Sequence, residues 1–138
     1  MSATRATRLM TAAQIVGGVG AALSGVAVLF YGFVILVGLG FAEQDGGASL
    51  GTQLALWGWF LGMLAGVGAG GLGTVWLHER AGRGVVLLAG GSGVALALAL
   101  TLDLGVNGAL TPVTPVVWAP YSLFAVAALM GRRIGRVA

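Results

Sequence analysis

Polar positions in this chain are few and bunched, and between them lie four long apolar stretches, at about 10–42, 54–77, 85–102 and 113–130. None alternates with period two, and each has the length of a helix that crosses a hydrocarbon core, where roughly 17–25 residues suffice. The pattern predicts an all-α, polytopic membrane protein: a single domain over residues 1–138, built as a bundle of four transmembrane helices. The first stretch exceeds one crossing, so it is expected to tilt or to begin as an interfacial turn. Its arginine-flanked start, with Gly40 and Ala42 at small-x-small spacing, also suits a secretory signal. A signal's apolar region is only about 7–15 residues long, however, so a retained span is expected.

The breaks between stretches are short. Glu43-Gln44-Asp45-Gly46-Gly47-Ala48-Ser49 forms a loop, His78 to Gly84 a tight turn, and the segment from Asp103 through Asn107-Gly108 to Pro112 a second loop. Trp57 and Trp59 open the second span and Trp76 closes it, where interfacial aromatics sit at headgroup level.

Composition rules out a water-soluble globule. The 138 residues are 58% hydrophobic and 8% charged, whereas soluble domains carry about a quarter charged residues, so the apolar surplus must face lipid. With no cysteine, disulfides and thiol chemistry are excluded. Lysine is absent as well, which together with the glycine, alanine, valine and leucine excess suggests a GC-rich genome.

Charge supplies the orientation. Arg5 and Arg8 precede the first span, Arg80 and Arg83 separate the second from the third, and Arg132, Arg133 and Arg136 follow the fourth. All seven fall on one side, which the positive-inside rule makes cytoplasmic, with both termini there. Glu43, Asp45 and Asp103 fall opposite. The net charge of +3 is thus a set of lipid-headgroup contacts at a cell membrane and implies no nucleic acid.

Glycine supplies the expected packing. Gly58, Gly62, Gly66 and Gly70 recur every four residues along the second span, a ridge on which a neighbouring backbone can lie. Ala13, Gly17, Ala21 and Gly25 make a similar stripe on the first span, the natural partner. Gly17 to Leu23 also matches Gly90 to Leu96 at five of seven positions. That fits either a parallel duplication of a two-helix hairpin or coincidence in a biased composition.

Few residues offer chemistry. Asp103 is the acid nearest the membrane interior, either a cation or proton site or an acid ending its helix at the water boundary. Pro120 interrupts the fourth span beside Tyr121, where a missing amide donor opens the helix. His78 and Glu79 begin a turn, and with a single histidine no two-histidine metal site forms within one chain. Gln14, Tyr31, Ser92 and Ser122 are candidates for interhelical hydrogen bonds. No nucleophile has a histidine–carboxylate partner set, so no catalytic residue, metal or cofactor is expected.

Thr11-Ala12-Ala13-Gln14 entering a glycine-rich first span, followed by the Arg80-Ala81-Gly82-Arg83-Gly84 turn, resembles uncharacterised four-span integral membrane proteins of GC-rich actinobacteria. The likeness covers most of the chain in layout and implies a fold without an activity. Small multidrug transporters are similar only in span number, since their first-span glutamate has no counterpart before Glu43. The expectation is a non-enzymatic membrane protein acting through helix contacts, as an accessory or assembly subunit of a larger complex or as a homo-oligomer. Its partners are then lipid and other membrane subunits or itself. The alternative is a small channel or transporter with Asp103, Pro120 and Tyr121 near its route.

Overall fold

A computed structural model describes residues 2–135. They form α1 (Ala3–Gln44), α2 (Leu50–Glu79), α3 (Ala81–Leu102) with a π-helical extension (Asp103–Asn107), and α4 (Val113–Gly135). All four helices are long and apolar enough to cross a membrane. The fold is an up-down-up-down bundle in which α1 packs on α2, α2 on α3, α3 on α4 and α4 back on α1. The arginines at the start of α1, the α2–α3 junction and the end of α4 therefore share one end of the bundle; Arg136 lies outside the described residues.

The helices outrun the apolar stretches because their caps lie beyond them. Ser2 accepts the Arg5 amide at 3.3 Å, so α1 starts as a regular helix before its first arginine instead of as an interfacial turn. Ser49 accepts the Thr52 amide at 3.2 Å and starts α2 four residues before the apolar stretch. Between them α1 ends on Gly46 and Gly47, both at positive φ, with the Gly47 amide returning 2.8 Å to the Ala42 carbonyl. The α2–α3 turn is tighter than the seven polar and small residues suggested: Arg80 alone is non-helical. Asp103 does not end the third span, which continues as a π turn to Asn107.

Size, not polarity, sorts the faces. Buried positions fall at spacings of three and four: Ala13, Gly17, Gly20, Ser24, Val28, Gly32 and Ile35 on α1, then Met63, Gly66, Gly70, Gly73 and Leu77 on α2. The exposed faces carry Leu23, Leu29, Phe33, Leu61 and Leu129. In lipid a leucine outside costs nothing, while a glycine inside lets two backbones meet.

They meet most closely between α2 and α3. A Cβ on Gly91 would stand 2.6 Å from the Gly66 carbonyl oxygen and 3.0 Å from the Gly70 amide nitrogen. Farther along, Gly73 and Gly84 face each other so that a Cβ on either would lie 2.8 Å from the other's carbonyl oxygen. The partner of the α2 glycines is therefore α3, joined by α4, and not the α1 stripe. Gly62 faces Leu98, Gly66 also faces Tyr121, and Gly70 faces the Phe124 ring, while Gly58 looks into open space. On α1, Gly17 meets Thr74, Ala21 lies 4.0 Å from the position of a Gly71 Cβ, Ala13 is buried, and Gly25 meets nothing. The physical reason is reach: two glycine surfaces facing each other approach more closely than a glycine surface facing alanines.

The likeness between residues 17–23 and 90–96 has no counterpart in packing. Gly17 and Gly20 are buried where Gly90 and Gly93 are exposed, and Gly18 is exposed where Gly91 is buried. The two copies present faces about one residue, or roughly 100°, out of phase.

Replacing Gly91 or Gly66 with leucine should separate α2 from α3 and cost about 1–3 kcal/mol or more, read as a lower melting temperature by circular dichroism in mild detergent. Gly58→Leu should melt like the native chain. Equal melting of all three variants and the native chain would refute the backbone-contact account.

Candidate functional site at the arginine-free end

The end of the bundle away from the arginines holds the buried acid and an apolar cleft. Asp103 is fully buried, a costly place for a carboxylate unless every oxygen is met. Here they are. Oδ1 accepts from Asn107 Nδ2 at 2.9 Å and from Thr111 Oγ1 at 2.5 Å. Oδ2 accepts from the Thr111 amide at 3.2 Å, the Thr114 amide at 3.0 Å and the Thr114 hydroxyl.

The geometry assigns a job to this cluster. The Thr114 amide belongs to the first turn of α4, so a side chain at the end of α3 performs the N-capping that local residues usually supply. The negative charge also sits at the positive end of the α4 dipole. Asp103 is thus the joint between α3 and α4, bridging a loop whose Gly108 takes a positive φ of 70°. Neither reading from the sequence anticipated this, although Asp103 and Asn107 at i, i+4 and the Thr111-Pro112-Val113-Thr114 start signal were visible.

Below the joint, aromatic donors tie helix to helix through backbone carbonyls. Tyr121 Oη donates to the Met63 carbonyl at 2.9 Å, Trp59 Nε1 to the Leu98 carbonyl at 3.3 Å, and Trp118 Nε1 to both the carbonyl and the hydroxyl of Ser92. The Tyr121 and Phe124 rings meet edge-on, with centroids 6.0 Å apart, over Gly66 and Gly70. Trp59 therefore faces a neighbouring helix, and Tyr121 is fully buried in the core between α4 and α2. Neither a family-level comparison nor a search of curated proteins or solved structures finds a match. Function has to be read from geometry alone.

The remaining candidates are dispersed. Pro120 is half-buried inside a continuous α4, and nearby Ser122 bonds within its own helix to the Ala119 carbonyl. Ser92 is the one hydroxyl of the four polar candidates that receives an interhelical bond; among the described residues Gln14 and Tyr31 show no side-chain hydrogen bond. His78 and Glu79 are exposed, and Arg80 lies over the Trp76 ring with its guanidinium carbon 6.0 Å from the centroid. Arg5, Arg8, Arg83, Arg132 and Arg133 are exposed at the same end. Among the described residues no three metal-ligating side chains come together.

Beside the Asp103 joint opens a cleft of about 700 Å³, walled by α1, α2, the end of α3 and the first turns of α4. Its lining is almost wholly apolar, with Phe30, Tyr31 and Trp59 on one side and Val106, Val113 and Val117 on the other. Tyr31 and Trp59 pack edge-on at 5.3 Å.

Asp103→Ala should release the first turn of α4, seen as faster amide exchange at Val113 and Thr114 and a lower melting temperature. Tyr121→Phe should cost less, about 0.6–1.7 kcal/mol, and leave exchange at the α4 start unchanged. Unaltered exchange in Asp103→Ala would remove the joint from the account.

Proposed function

We infer that this small multi-pass protein is a non-enzymatic accessory or assembly subunit of a membrane complex, or a homo-oligomer, that works through helix contacts. The arginine end and both termini face the cytoplasm of a GC-rich actinobacterial cell, and the cell membrane is the host bilayer. The observation that carries the reading is the uncovered length of α1. Its 42 residues span about 63 Å at 1.5 Å per residue, against a hydrocarbon core of about 30 Å.

Past Ile35, the last α1 residue in the core, the helix continues with Leu36, Val37 and Phe41 exposed, and the facing start of α2 exposes Leu50 and Leu54. These side chains rise beyond the start of α4, since Thr114 is level with Ala99 while Tyr31 is level with Trp59 and Leu98. Lipid can cover such surface at no cost, so the reading rests on length: α1 outruns a single crossing by about 30 Å, and a second protein is the cover assigned to the outer face of its far end. A transport reading gains nothing from Asp103, whose oxygens are engaged in holding α4.

A photo-crosslinking amino acid at Leu36 or Phe41, in membranes of the native host, should give one protein adduct of reproducible mass, while the same group at Val75 or Val86 gives lipid adducts. Lipid adducts alone at all four positions would overturn the reading. So would tracer flux into liposomes that is lost in Asp103→Asn while the variant remains folded.

A further inference from the structure

The cleft beside the joint exists because α4 starts late. Level with Phe30 to Ile35, three helices are present in full, but the fourth contributes only Val113 and Val117. The vacated quadrant runs from Trp59 up to Thr52, seven residues or about 10 Å of helix rise. Its volume of about 700 Å³ falls within the roughly 300–1,000 Å³ typical of ligand sites.

We propose that this cleft is a binding site for one hydrocarbon chain of a phospholipid from the leaflet opposite the arginines. Three observations select that occupant. The cleft opens sideways to the bilayer, because Phe30, Val34 and Val106 border it and are also 62%, 49% and 75% exposed. Water is a poor filler, since an apolar cavity offers it no partners and stays dry. A helix end from another chain is disfavoured too, because it would bring up to four unmet backbone groups. The polar groups on the wall are largely engaged: Thr52 with Ser49, Thr101 with the Ala97 carbonyl and Trp59 with the Leu98 carbonyl. The Tyr31 hydroxyl alone could not satisfy such an end. A hydrocarbon chain asks for no hydrogen bond and fills the space that close packing requires.

Gly105 provides the test, because it lines the cleft and a Cβ there meets nothing within 4 Å. Gly105→Leu should project into the cleft from a position where its Cβ meets no neighbour. The full chain is exchanged repeatedly into fresh mild detergent and examined by native mass spectrometry. The native protein and Gly38→Leu, another open position on the α1 surface, should each retain one phospholipid. Gly105→Leu should retain roughly tenfold less, equivalent to about 1.4 kcal/mol of lost affinity. Ala55→Leu, on the α2 wall, should act in the same way if the first variant fails to fold.

A second arm adds vesicles of phospholipid with brominated chains, then brominated free fatty acid, and follows the tryptophan quenching that Trp59→Phe removes. Quenching by the phospholipid that falls in Gly105→Leu is the expected result. Equal retention and equal quenching in native and cleft-filled chains would overturn the proposal. A native chain without bound phospholipid, or one quenched only by the free fatty acid, would do so equally.

Discussion

Everything in this bundle is arranged around the contact of two backbones, α2 against α3, at the glycine pairs Gly66–Gly91 and Gly73–Gly84. No side chain separates them. In a membrane there is no water to drive apolar surfaces together, so the depth of approach sets how much dispersion energy a helix pair gains. That closeness also sets where the other helices stand. Tyr121 and Phe124 of α4 lie over Gly66 and Gly70 of α2, and the Tyr121 hydroxyl donates to the Met63 carbonyl across the bundle. α1 closes the ring against smaller openings, with Gly20 opposite Leu123 and Phe124 and Gly32 opposite Phe60.

A bundle held by shape tolerates few polar groups, and those present are used as joints. Asp103 fixes the start of α4, and three aromatic donors fasten carbonyls on neighbouring helices. Such bonds are individually modest in a membrane, about 0.6 kcal/mol on average. They specify register where a smooth glycine–aliphatic surface would slide. Because the joint anchors α4 below the top of α1 and α2, it also creates the aromatic-walled cleft. Structural economy and the candidate site thus share one cause.

Much of the architecture was legible in order of chain. Four apolar stretches gave four helices, and the arginine clusters gathered at one end because an even number of crossings returns the chain there. Legibility failed where the signal was spatial. The four-residue spacing of Gly62, Gly66 and Gly70 announced a close approach but carried no direction, and the matching stripe on α1 was a worse fit than Gly84 and Gly91. Asp103 read as a boundary because an acid beside an apolar run normally meets water. Its partners Asn107, Thr111 and Thr114 lie on the far side of a turn whose path is not encoded by spacing alone.

The sequence by itself determined the solvent of this protein, its number of crossings and the common end of its arginines. Each of these is additive along the chain, through transfer free energy, helix length and charge count. Only the tertiary structure decided which glycines face each other, what Asp103 holds and where the fourth helix leaves a gap. These depend on distances between helices, which are set by side-chain size on both partners at once, and a pattern read along one helix contains only half of that information.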